Sequence, residues 1–359
     1  MTSIAVDPLF DELRERVTAA GFFAPDPKRY VLKGTICLAL YVIVYVSVWY
    51  VTEPLPLAVL LFVLAQMSVQ LAYFAHDAAH GSLTRNPRLA KVIGHFGMTF
   101  ITGFSFSWWV HSHGNHHAHV NEEENDLAMK YSTVLAVHER AITAKQGWRR
   151  RLSRYQAYYI WLLIPLYHFP MIWDGFVYCW QHARKTRTDQ IVIALYLLLW
   201  LGVPSLAIGW QRALVHYLAD TLIGSTLIGY TFIVHHVGRK VVRSDEVAAM
   251  GPLRKQIETT RNVRTWRIFD FYYSGLNYHI PHHLFPNVPH WRYRALHQLI
   301  ARFCAEKEIR YTEESFFHAV GNVFRYLRYL GSLPSEFELT RASERAGWSV
   351  AEVPAPYVD

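Results

Sequence analysis

The chain has 359 residues, 52% of them hydrophobic and 15% aromatic against only 18% charged, a balance that points away from two or three soluble domains and toward a membrane protein with polar parts. Its net charge of +8 comes without a basic stripe on a soluble module, which argues against nucleic-acid binding and for contact with anionic lipid. Cys37, Cys179 and Cys304 stand far apart with no CxxC, so neither a disulfide framework nor a cysteine zinc site is expected.

The N-terminal stretch MTSIAVDPLFDELRERV is polar where a signal peptide would carry an apolar core. Asp7 as cap, Pro8 at the first helical position and Gly21 past the end predict a short amphipathic helix ahead of the first span, within an N-terminal cytosolic segment of residues 1–33. A membrane span needs about 20 mostly apolar residues, and four stretches come close: 34–51, 57–74, 191–210 and 213–234. VTEPLP joins the first two and GWQR the last two, so they form two hairpins whose turns share one side of the membrane and hold a single basic residue, Arg212. The basic runs WRRRLSR at 148–154, RKTR at 184–187 and GRKVVR at 238–243 mark the opposite side as cytosolic. Both termini, residues 75–189 and everything after His235 fall on that side.

Between the second and third spans, 89–110 is interrupted by Gly94, Gly97 and Gly103, and 156–173 by Pro165 and Pro170; both are expected to lie at the interface or to re-enter rather than cross. Asp220 lies near the outer end of the fourth span, where it would snorkel or pair with a neighbouring Thr. Residues 291–307 and 313–330 read as helices, the second capped by Thr312, and a polar tail follows at 332–359. The expected fold is an all-α membrane protein: four transmembrane helices in two hairpins, interfacial helices and a cytosolic helical cap, with 34–331 as its one membrane domain.

Twenty histidines occur, many in tight groups: HDAAH at 76–80, HSHGNHHAHV at 111–120, VHHVG at 234–238 and NYHIPHHLFP at 277–286. On a helix His76 and His80 project from one face a turn apart. His113, His116 and His117 make an HxxHH pattern, and His279, His282 and His283 repeat it. Such spacings let several helices ligate a pair of metal ions. With His236, or its neighbour His235, at the cytosolic end of the fourth span, nine imidazoles converge. Eight box histidines beside one membrane face have no packing rationale, whereas His95, His138, His168, His182, His216, His290, His297 and His318 read as ordinary surface or core residues. His111 and His119 flank the second box and would orient ligands or face solvent.

Ligand type alone admits zinc, iron or copper, but so many ligands suit a two-metal centre with open positions, and two redox-active irons that bind O2 are its natural use where a lipid chain can reach. Asp77 inside the first box, and Glu122, Glu123, Glu124 and Asp126 after the second, are candidates to accept the free imidazole N–H groups; NEEEND reads equally well as a solvated acidic loop.

The boxes HDAAH, HGNHH and HIPHH, with GLNYHIPHHLFP around the third and KQIETTRNV at 255–263, make the chain resemble the membrane fatty acid desaturase family, especially its bacterial acyl-lipid or acyl-CoA members, over about residues 66–299. The resemblance implies a mushroom-like fold of four transmembrane helices under a cytosolic cap that holds a di-iron site. It also implies O2-dependent removal of two hydrogens from a fatty acyl substrate. Matched box by box, the implied iron ligands are His76, His80, His113, His116, His117, His279, His282 and His283, with His236 as the additional one. Many relatives carry Gln, associated with front-end desaturation, where this chain has His279; similar sequences also place Asn where this chain has His235, for which Asn277 is the substitute. The HPGG signature of a fused cytochrome b5 domain does not occur, so electrons are expected from an external ferredoxin or cytochrome b5-like protein with its reductase. The setting implied is a bacterial plasma membrane, with membrane lipid as a partner and no nucleic acid. Trp108 and Trp109, beside the second box, are expected to line an acyl tunnel or to anchor at the membrane interface. The nearest competing reading is a membrane di-iron hydroxylase of a lipid or hydrocarbon chain. A histidine-rich metal transporter or sensor would instead place ionisable groups along a path at the membrane midplane.

Overall fold

The computed structural model describes residues 7–129 and 134–335; most of the polar tail expected from 332 lies outside the described residues. Helix α1, Pro8–Ala19, forms as its signals predict: the Asp7 carboxylate accepts from the Leu9 and Phe10 amides, Pro8 opens the helix, and Gly21 reverses the chain at φ 73°. Its buried face, Leu13 and Val17, joins a cap core with Leu253, Ile257, Ile300 and Phe303.

Among the described residues, four helices are long and apolar enough to cross a membrane: Pro27–Tyr50, Pro54–Ala79, Arg187–Ile208 and Trp210–His236. The first two are α2 and α3. Helix α2 starts at Pro27, capped by Asp26, so the first span runs unbroken out of the segment read as 1–33. Cys37, Tyr41, Val44 and Val48 of α2 pack on Leu61, Leu64, Met67 and Leu71 of α3. The remaining face of α2 leaves Val31, Leu32, Ile36, Val42 and Ile43 exposed, as a lipid-facing helix requires.

After α3, helix α4 (Pro87–Gly94) runs into a π-helical turn at His95–Phe100, reverses at Gly103 (φ 79°), and continues as α5, Phe106–His119. The reversal divides 89–110 into two helices. Gly97 permits its close approach to α3, because a Cβ there would sit 2.3 Å from the Leu71 carbonyl oxygen. Two short helices, α6 (Glu139–Thr143) and α7 (Gly147–Ser153), lead to α8 (Gln156–Leu163) and α9 (His168–Gln181). Gln156–Leu166 and His168–Gln181 meet at a 61° bend, the geometry of a broken span or a re-entrant loop.

The third long helix consists of α10 (Arg187–Leu197), a π turn at Leu198–Gly202 and α11 (Val203–Ile208); α12, Trp210–His236, follows at once. The turn read as GWQR is a single residue, Gly209 at φ 84°, and Trp210 belongs to the fourth helix rather than the third. Glycine alone takes this conformation cheaply, which lets the reversal be so short.

The cap adds α13 (Ser244–Glu258), β1 (Asn262–Arg264), α14 (Arg267–Tyr272), α15 (His279–Leu284), α16 (Tyr293–Glu306), β2 (Glu313–Ser315) and α17 (Phe316–Ser332). Strand β1 pairs parallel with β2 in the register Asn262 with Glu313. Residues 313–315 are therefore not the first turn of a helix, and Ser315, not Thr312, caps α17. The distant partner strand satisfies their backbone, a gain that local propensity does not carry.

Gly97→Ala is expected to cost about 1–3 kcal/mol, because backbone at 2.3 Å cannot yield without moving α3. Gly321→Ala on α17, with only the Arg325 guanidinium at 3.6 Å, should leave the thermal midpoint unchanged or slightly raised.

Candidate metal centre

Four elements end at one place. His76 lies in the last turn of α3 and His80 is its C-cap; α5 presents His113, His116 and His117; His236 is the last residue of α12; α15 is built around His279, His282 and His283. Nitrogens of His76, His80, His113 and His282 all lie within 4.8 Å of one another, and those of His116, His236 and His283 form a second such group. His117 Nε2 is 3.1 Å from His113 Nε2, and His279 Nε2 is 2.9 Å from His236 Nε2, so all nine imidazoles meet.

The outward nitrogens are held by the protein. His116 Nδ1 donates to the Asp126 carboxylate (3.0 Å), His279 Nδ1 to the Leu276 carbonyl (3.0 Å) and His236 Nδ1 to the Thr259 carbonyl (3.4 Å). His76 Nδ1 faces Asp77 Oδ1 (3.2 Å), His283 Nδ1 the Gln256 amide oxygen (3.1 Å) and His282 Nδ1 the Tyr293 hydroxyl (3.2 Å). An imidazole whose Nδ1 carries the proton has only a lone pair at Nε2. The approaches of His236 Nε2 to His279 Nε2 (2.9 Å) and to His116 Nε2 (3.3 Å) thus set lone pair against lone pair, an arrangement that needs a cation between them. Nε2 of His76, His282 and His283 is buried with no partner among the described residues. The donor set fits metal ions in two adjacent groups. Burial pushes His80, His113, His117, His279, His282 and His283 well below the ordinary histidine range, and their mutual repulsion as cations adds to it, so they are neutral at neutral pH.

A ring of residues behind the imidazoles fixes their tautomers. Asp77 also accepts from the Tyr30 hydroxyl (2.7 Å) and His290 Nδ1 (2.6 Å), so His290 is a buried bridge to the first box. In KQIETTRNV, Lys255 Nζ reaches Glu122 (2.7 Å) and the Ala118 carbonyl (2.6 Å), and the Gln256 amide donates to the His117 carbonyl (2.8 Å). Gln70, buried in α3, donates to the Phe271 and Tyr272 carbonyls and accepts from Ser274 Oγ (2.9 Å), tying the span to the segment that leads into the third box. Gln70, Gln256, Tyr293 and His290 carried no spacing signal in the sequence; only its place, with Gln66, as a buried amide in an apolar helix marked Gln70.

Of NEEEND, Asp126 and Glu122 are buried and engaged with His116 and His119, while Glu124 is exposed and bonds Ser244. His235 does not join the cluster through Nδ1, which bonds the Thr231 carbonyl; its ring stacks on His279 at 4.4 Å. Asn277 is not brought to the cluster by its amide, which donates to Thr265 and Asp270. His111 stacks on Tyr178.

A cavity of about 460 Å³ opens beside the cluster, with His113, His116 and His236 on its wall and Trp108 and Trp109 next to them. Both tryptophans are buried lining residues rather than interface anchors. Apolar side chains of α8, α9 and α12 complete it, and no Lys or Arg is among its described lining residues. It can take an apolar chain and hold it against the imidazole cluster.

The family model described as fatty acid desaturase matches residues 52–315. The chain is 28% identical over 334 residues to the Delta(5) fatty acid desaturase of Caenorhabditis elegans, covering 88% of this chain and 72% of that one. It is 26% identical to the Delta(8)-fatty-acid desaturase of Euglena gracilis (89% and 77% covered) and 23% identical to the Delta 8-(E)-sphingolipid desaturase of Komagataella phaffii, of whose length it spans 60%.

Asp126→Ala should lower the affinity for a metal ion at the cluster by about 10–100-fold, read as metal retained against a chelator. His182→Ala, which removes an exposed ring bonded only to its own helix and stacked on Tyr178, should retain as much as the parent.

Proposed function

Because this chain belongs to the fatty acid desaturase family, we propose that it removes one hydrogen from each of two adjacent carbons of a fatty acyl chain to leave a double bond, while O2 is reduced to two waters with two electrons and two protons from outside. The observation that carries the reading is the convergence of nine imidazoles, several with bare inward nitrogens, beside an apolar cavity.

His76, His80, His113 and His282 would hold one iron and His116, His236 and His283 the other, with His117 and His279 beside them. When bound, the two irons supply O2 activation and the oxidising power that an unactivated CH2 demands. The residues of the chain do the rest. Asp126, Thr259, Leu276 and Asp77 hold the Nδ1 protons, which keeps each Nε2 lone pair inward. Trp108, Trp109, Met171 and Ile164 exclude water and confine the chain, so the carbons presented to the cluster are set by where it stops. Gly229, Phe232, Ile233 and His236 lie on one face of α12, and Gly229 is two turns, about 10 Å, from His236. This face serves as a ruler for chain position.

The basic runs 148–154, 184–187 and 238–243 support a topology with the histidines and both described ends on the cytosolic side, with four spans in two hairpins below. Electrons would come from an external ferredoxin or cytochrome b5-like protein with its reductase, approaching the cap from that side.

The test is the fatty-acid profile of a host that expresses the chain with a compatible electron donor, analysed by gas chromatography with double-bond localisation. A new unsaturated acid is expected, falling by at least about 100-fold in His282→Ala. A hydroxylated product in its place would establish the hydroxylase reading, and no product at all would overturn the acyl substrate. Phe232→Ala, which widens the cavity one turn from His236, should shift the profile severalfold toward longer chains.

A further inference from the structure

A second cavity of about 460 Å³, separate from the acyl cavity, lies where α2 meets the segment 270–294. Its floor is apolar: Leu32, Ile36 and Phe271 are 64%, 49% and 48% exposed, and they continue onto the lipid-facing side of α2. Its rim is cationic, with Arg29, Lys33 and Arg294 against the single carboxylate of Asp270. Among the described residues, the ion pairs of Arg29 and Arg294 are long ones, each at 3.4 Å, to Asp26 and Asp270, and their side chains stay 66% and 38% exposed.

Lys33 is the distinctive member. Its amine donates to Ser274 Oγ (2.9 Å) and to His290 Nε2 (3.0 Å), both neutral acceptors, and among the described residues no carboxylate lies within 4.0 Å of it. Two hydrogen bonds leave a third N–H of the ammonium group over. A half-buried cation whose nearest carboxylate, Asp77, is reached only through His290, flanked by two weakly paired guanidinium groups at the edge of an apolar floor, leaves a place for an anion.

We propose that this groove binds an anionic phospholipid of the surrounding leaflet, its phosphate among Arg29, Lys33 and Arg294 and an acyl chain along Leu32 and Ile36 of α2. Three features select a lipid. The floor runs on into the face of a helix long and apolar enough to span the bilayer, where a soluble phosphate would find no use for it. Neighbouring α14 exposes Ile268, and Trp266 precedes it, side chains that belong at a membrane surface. The excess of rim cations over carboxylates favours a net negative headgroup over a zwitterionic one. A lipid seated there would fasten α2 to the segment that carries the third histidine box, without touching the cluster.

The experiment uses the full chain purified in a neutral detergent, titrated with phosphatidylglycerol, phosphatidylcholine or glycerol phosphate, with the thermal midpoint and lipid retention by native mass spectrometry as readouts. Phosphatidylglycerol should raise the midpoint and bind about tenfold more tightly than phosphatidylcholine. The surface double variant R29A/R294A, with an unchanged midpoint in the absence of lipid, should lose that preference. Equal responses to both lipids, or a preference that survives in the variant, would overturn the proposal. The same shift from glycerol phosphate would make this a site for free phosphate. An unchanged lipid response combined with slower reduction by an acidic electron-carrier protein would make it a protein-docking surface instead.

Discussion

The constraint on which this structure depends is the crowding of unprotonated imidazole nitrogens in a buried space. Each buried polar atom left without a partner costs about 1–3 kcal/mol. Nε2 of His76, His282 and His283 lacks one, and those of His116, His236 and His279 face each other. Only cations offset this, and only a stiff frame can keep the rings from turning away to hydrogen-bond elsewhere.

The frame is the ring of Nδ1 acceptors, and it explains the cap. No one helix can supply them: Asp77 comes from the end of α3, Asp126 from the loop after α5, Thr259 and Gln256 from α13 and its end, Leu276 from the approach to α15, and Tyr293 from α16. The two-stranded pairing of β1 with β2 serves the same end, since the Asn262 side chain at its start accepts from the Ile280 amide and so seats α15. The membrane helices contribute length and position. At the end of a long apolar run α3 delivers His76 and His80 and α12 delivers His236, and Gln70 binds the backbone that leads to the third box.

The cavity beside the imidazoles and the cationic groove lie at two separate places. The first is apolar and ends on imidazoles; the second has an apolar floor and a positive rim. Bringing the rim cations next to the cluster would have set positive charge against bound metal ions. Here His290 and Asp77 stand between Lys33 and His76, so the carboxylate screens one from the other.

Hydropathy and spacing by themselves determined the four long apolar helices, the interrupted stretches between them, the α1 cap at Asp7 and the histidines that meet, because run length, period and capping are local properties of the chain. Sequence alone left His235 and His236 both open, with the resemblance favouring His236; it is His236 whose Nε2 lies 2.9 Å from that of His279. Tertiary structure decided what depended on partners far apart in sequence. It turned residues 313–315 into a strand, shortened the turn between the last two long helices to Gly209, put His290 behind Asp77, aimed the Asn277 amide at Thr265 and Asp270, and made Gln256 and Tyr293 supports of the third box. A hydrogen-bond acceptor is legible in a sequence only when its donor sits within a turn or two; these acceptors find theirs through the packing of the cap on the spans, and that packing leaves no periodic trace.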